Sequence, residues 1–119
     1  MSPTTLDGFA RDWIAAWNSR DLDSLLAHYA EDVEFRSPLA ARLLGEASGT
    51  VRGKQHLREY FSKALAAFPG DLGLELLGVY RGVDSVVLHF QARGRRAAEV
   101  MEMNSDGVVR RALAHVEAA

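Results

Sequence analysis

From Leu72 to Val116 the chain reads as four strands in a row, and this run limits the folds open to it more than any other feature. Leu72 to Arg81, Ser85 to Ala92, Arg95 to Met103 and Val108 to Val116 are strand-like, and Gly82, Gly94 and Asp106-Gly107 fall between them as turn residues. Consecutive strands joined by short turns pair as an antiparallel meander. The first half of the chain has a different period. Leu6, Phe9, Trp13, Ala16 and Trp17 recur at helical spacing, with Arg11, Asp12 and Asn18 on the opposite side. Ser2 before Pro3, or Thr4 with Asp7, would cap this first helix. Asp21 starts a short second helix carrying Leu22, Leu25, Leu26 and Tyr29. Val33-Glu34-Phe35-Arg36 alternates as a short strand that Pro38 ends. Leu39 to Arg52, with Gly45, Ser48 and Gly49, reads as one long loop. A third helix begins near Gly53-Lys54, buries Leu57, Tyr60, Phe61, Ala64, Leu65 and Phe68, and stops at Pro69-Gly70. Helices first and sheet afterwards make an α+β domain with the helices on one face of the sheet.

A chain of 119 residues is one domain, 1–119, with room for a core and a single internal pocket. Fourteen Lys+Arg against sixteen Asp+Glu leave a net charge of -2, which argues against a nucleic-acid or anionic-membrane partner. No apolar run approaches a membrane span, and the first residues lack the pattern of a signal peptide, so the expected location is cytoplasmic. With no cysteine there is no disulfide, thiolate nucleophile or Cys-based metal site. The four histidines, at 28, 56, 89 and 115, are scattered and read as surface or interface residues, so neither metal nor cofactor is expected.

The last hairpin can be set in register. A two-residue turn at Asp106-Gly107 pairs Met103 with Arg110, Met101 with Ala112 and Glu99 with Ala114. One sheet face then carries Glu99, Met101, Met103, Ala112, Ala114 and Val116. The other carries Val100, Glu102, Val109, Arg111, Leu113 and His115. Small alanines beside a carboxylate leave space, as a cavity wall does. An apolar outer face needs a cover, and a second copy of the chain supplies one.

Several landmarks resemble the nuclear transport factor 2-like superfamily, in its SnoaL-like and ketosteroid-isomerase-like branch. They are Trp13-Ile14-Ala15-Ala16-Trp17-Asn18 with Asp21, Tyr29-Ala30-Glu31-Asp32-Val33, Ser37-Pro38, Gly53-Lys54, Leu57-Arg58-Glu59-Tyr60-Phe61 and the Asp106-Gly107 turn. The resemblance implies a cone-shaped barrel in which a curved antiparallel sheet wraps three N-terminal helices, a pocket in its mouth, and a homodimer through the outer sheet face. It also implies a test of activity. The isomerases place an Asp base before the proline, a Tyr on the first helix and a carboxylic acid on the penultimate strand. Ser37, Trp13 and Glu99 hold these positions here. Ser37 is not a base and Trp13 offers only an indole N–H, so isomerase chemistry is not expected.

Glu99 is therefore the one candidate acid or base. A pocket lined by Trp13, Tyr29, Phe35, Ser37, Tyr60, Met101 and Ala114 would take a small apolar or amphipathic molecule with a polar group directed at Glu99. Two readings follow: a binding protein or cofactor-independent SnoaL-like enzyme of unknown reaction, or a non-catalytic dimeric interaction module whose cavity is vestigial or filled by Trp13 and the methionines. Ser37 would either meet the ligand or cap the turn at Pro38. Arg93, Arg95 and Arg96 around Gly94 would hold a phosphate or form a solvated hairpin tip.

Overall fold

The computed structural model describes residues 3–118. The expected caps from the Ser2 and Thr4 side chains lie outside the described residues. Helix α1 (Pro3–Ser19) turns Leu6, Phe9, Ala10, Trp13 and Ala16 into the core, as its 3.6-residue period requires. It ends where Arg20 adopts φ 60. The Arg20 guanidinium reaches across to the far end of helix α4 (Lys54–Ala67) and donates to the carbonyls of Leu65, Phe68 and Gly70. A cation thus sits on carbonyls at and just beyond the C-terminal end of the helix, the end where positive charge is favourable. Helix α2 (Leu22–Leu26) is capped by Asp21, whose carboxylate accepts from the Ser24 backbone N–H at 3.2 Å.

The segment expected to be a loop is structured. Ser37 caps helix α3 (Pro38–Leu44), its Oγ accepting from the Leu39 N–H at 3.1 Å, with Pro38 in the first turn and Gly45 in the left-handed conformation at the end. Strand β2 (Thr50–Arg52) then pairs antiparallel with strand β1 (Tyr29–Arg36), which starts four residues before the expected alternation. Gly49 sits between them at φ 62. A Cβ there would stand 2.4 Å from the Ser37 carbonyl oxygen, so only glycine lets the two backbones meet. Leu39 and Leu43 pack against the core, whereas Leu44 is exposed.

Strands β3 (Glu75–Gly82), β4 (Ser85–Ala92), β5 (Arg95–Met103) and β6 (Val109–Val116) form the expected meander. The six strands lie in the order β2-β1-β6-β5-β4-β3. Every neighbouring pair is antiparallel except β1 and β6, which run parallel. The curved sheet is not closed into a barrel, because β2 and β3 remain free edges. Among the described residues four helices rather than three accompany it, the additional one being α3.

The hairpin register holds where it matters most, with Glu99 opposite Ala114 and Met101 opposite Ala112. It fails at the turn. Asn104 accepts from the Asp106 and Val108 N–H groups, at 2.9 and 3.2 Å, and makes a wider turn than Asp106-Gly107 alone. Beyond it β6 carries an extra residue, so Met103 pairs with Val109 instead of Arg110. That bulge moves Val109 from the expected outer face into the core. Met103 and Ala112 stay on the buried face, whereas Val116 emerges at the strand end and is exposed. No helix among the described residues is long and apolar enough to cross a membrane.

Candidate functional site

A cavity of about 550 Å³ opens between α1, α3, α4 and the concave face of β4, β5 and β6. Trp13, Trp17, Phe35, Phe61 and Phe90 supply aromatic walls. The space itself comes from alanines: Ala64 on α4 and Ala97 and Ala114 on the concave face of the sheet. Larger residues at these positions would fill it.

Glu99 lies in this wall at 5% exposure, the one carboxylate among the lining residues. Burial pushes its carboxyl up to about 8, and the neighbouring Tyr29 hydroxyl pulls it back by less. At neutral pH the group is therefore mostly protonated and able to donate a hydrogen bond. Its Oε2 has no hydrogen-bond partner among the described residues, and neither has Trp17 Nε1, which borders the same cavity. Buried polar atoms are normally paired, so one open donor and one open acid group mark where a ligand atom would be held. Tyr60 also keeps its proton. Burial raises its hydroxyl to about 12, while the Ser37 side chain acts in the opposite direction.

The structure brings Trp13, Phe35, Ser37, Tyr60, Glu99 and Ala114 together around the cavity, as the sequence indicates. It does not bring Tyr29 or Met101 to the lining. Tyr29 is covered because its hydroxyl turns inward to accept from Trp13 Nε1 at 2.9 Å, while its ring packs edge-on against Phe61 at 5.7 Å. Tyr29 thus stands behind the wall and orients Trp13 and Glu99. Met101 is fully enclosed one alternation further along β5, where the core closes over the sheet. Ser37 caps α3, as one of its two expected roles requires, and it borders the cavity. His28 is half-buried in the bend after α2, edge-on to Phe9 at 5.0 Å, rather than on a polar surface.

The helical spacing puts Trp17 on the core face of α1, and no local pattern places Arg42, Phe90, Arg93 or Arg96 at this cavity. The signal for Arg95 was present in the hairpin: residues 95, 97 and 99 of one strand share a face. Arg42 was hidden by the unrecognised helix α3.

The sequence profile of the SnoaL-like domain matches residues 10–117. The crystal structure of a SnoaL-like protein of unknown function from Burkholderia thailandensis E264 is 41% identical, with a TM-score of 0.92 over 98% of both chains. An NTF2-like protein from Anabaena variabilis is 16% identical, with a TM-score of 0.76 over 98% of this chain and 90% of that one. A proposed ketosteroid isomerase from Kribbella flavida is 22% identical, with a TM-score of 0.65 over 94% of this chain and 77% of that one. The last two likenesses concern the fold alone. No curated protein matches the chain.

Proposed function

The chain belongs to the SnoaL-like domain family, and we propose that it binds a small, mostly apolar molecule in the cavity, with one polar group of that molecule at Glu99. The observation that carries this reading is a buried carboxyl whose Oε2 has no hydrogen-bond partner among the described residues and which borders about 550 Å³ of space. An apolar pocket with few polar groups is the usual form of a small-molecule site. The form of the alternative in which Trp13 and the methionines fill the cavity would leave no open space beside Glu99. Glu99 is also the group available for proton transfer, since its raised pKa brings it near neutral pH. The base position held by Ser37 remains without basic character. Binding is therefore the function proposed, with Glu99 as polar anchor and acid candidate.

Trp13 and Trp17 border the cavity, so occupancy is expected to change their fluorescence. Titration with 2-decanone and 1-decanol is expected to give a saturable change. Glu99→Leu should weaken it about tenfold, the loss of one hydrogen bond in a dry site. Equal affinity in that variant would remove Glu99 from the site, and no saturable change with either probe would defeat the reading.

We also propose a homodimer through the outer sheet face. Tyr80, Val87, Val100 and Leu113 stand in one cross-strand row over four strands. Tyr80 is 58% exposed, and Leu77, at the bulge of the same strand, 42%. An apolar row of this kind on an antiparallel sheet is relieved by a twofold partner. Sedimentation at micromolar concentration is expected to give twice the chain mass, and Val100→Arg to give one. A wild-type monomer at that concentration would refute the dimer.

A further inference from the structure

The mouth of the cavity carries charge that its interior lacks. Arg93, Arg95 and Arg96 come from the tip of the β4–β5 hairpin and Arg42 from α3, and all four border the same opening. Among the described residues, none of them is in an ion pair: the six ion pairs use Arg52, Lys54, Arg58, Arg110 and Arg111. The chain as a whole has a net charge of -2, so this concentration runs against its overall sign. Cations gathered at the rim of a low-dielectric cleft focus their field into it.

The positions are ordered along the strand. Arg95 shares its sheet face with Ala97 and Glu99, and the small Ala97 side chain leaves the path between them open. Four residues of strand separate Arg95 from Glu99 by about 13 Å, the length of a chain of roughly ten carbons. Arg93 is fixed at the rim, its guanidinium 5.5 Å from the Phe68 ring centre. Arg42 acts on the cavity wall as well, since its charge favours the ionised form of Tyr60.

Building on the binding function above, we infer that the ligand is an apolar organic anion that enters with its neutral polar end first. Its carboxylate or phosphate group meets Arg42, Arg93 and Arg95 at the mouth, its apolar body lies along Ala97 and the aromatic walls, and its uncharged polar group reaches Glu99. The two ends of the cavity recognise different chemistry. Guanidinium forks match the paired oxygens of a carboxylate or phosphate, whereas the enclosed end offers uncharged hydrogen-bonding groups.

Tryptophan fluorescence titrations with decanoate, decyl phosphate and 1-decanol test this on the full chain. Both anions are expected to bind at least about tenfold more tightly than 1-decanol at low salt. That preference should collapse in about 1 M NaCl, where charges are screened beyond roughly 3 Å. It should also collapse in the double variant Arg42→Gln/Arg95→Gln, whose two sites are exposed and whose fold circular dichroism would verify. The stronger of the two anions identifies the headgroup as carboxylate or phosphate. Saturable 1-decanol binding with no preference for either anion would overturn the anion assignment and leave the binding function standing. A preference that survives both changes would also overturn it. Absence of binding by all three probes would overturn both.

Discussion

Replacing Glu99 with glutamine is expected to raise the melting temperature by about ten degrees at pH 8 and to change it little at pH 5. The cause is a proton that the folded chain keeps and the unfolded chain loses. An exposed glutamic acid ionises near 4.5, whereas burial holds the folded group up to about 8. Below 4.5 both states carry the proton and the group does not affect folding. Between 4.5 and 8 the folded state binds more protons than the unfolded state, so stability falls as pH rises. Above 8 both states are ionised and the loss is complete. Its upper bound is roughly 5 kcal/mol. About 3 kcal/mol of that is expected in practice, or roughly ten degrees for a domain of this size. Glutamine has nearly the same shape and does not titrate. Comparing the two proteins across pH therefore cancels every other ionising group. Calorimetry at both pH values measures the difference, and parallel curves for the two proteins would show that Glu99 is not held in its neutral form.

The second large effect concerns Phe61. Its ring is fully buried and meets those of Trp17 at 4.9 Å, Phe35 at 5.5 Å, and Tyr29 and Tyr60 at 5.7 Å. It joins α4 to α1 and β1, and its position decides where the aromatic walls of the cavity stand. Phe61→Ala is expected to cost about 4 kcal/mol, from lost transfer energy and the void that remains. That is a large share of the roughly 5–15 kcal/mol by which domains are usually stable. Phe61→Leu, which keeps most of the volume, is expected to cost less than half as much. Urea unfolding measures both, as a lower midpoint with unchanged slope. A loss below about 1 kcal/mol in the alanine variant would mean that the cluster closes over the gap and that Phe61 does not hold it apart.

What the sequence made legible follows from the range of the interactions involved. The α1 stripe and the meander are local patterns, and both are found. The pairing of Glu99 with Ala114 needed only one turn as its origin, and it placed the carboxyl on the concave face. The same turn gave a wrong side for Val109, because an extra residue in β6 reverses the alternation and leaves no distinctive composition. Helix α3 has seven residues, too few for a period to stand out, although Ser37-Pro38 and Gly45 mark both its ends. Tyr29 is a polar residue that turned inward, and its partners there, the indole of Trp13 sixteen positions earlier and the carboxyl of Glu99 on β5, are distant in sequence. The arginines at the mouth were visible as a cluster, but their meeting with Arg42 is made by the fold. Pairing β1 with β6 is likewise a contact between distant segments that no local pattern encodes.

That parallel pairing also sets the order in which the molecule becomes whole. β1 and β6 are separated by more than half of the chain, yet β6 alone joins β1 and β2 to the rest of the sheet by hydrogen bonds. Closing a loop of that length costs roughly 4 kcal/mol in chain entropy before any contact offsets it. The β3–β5 meander can zip from turn to turn, but Phe35 on β1 and Ala114 on β6 come to border one cavity only after the loop has closed. Until then the cavity has two unconnected halves. A molecule seated between them would act as a clasp across the longest loop, slowing the opening of the whole domain and not merely of its mouth.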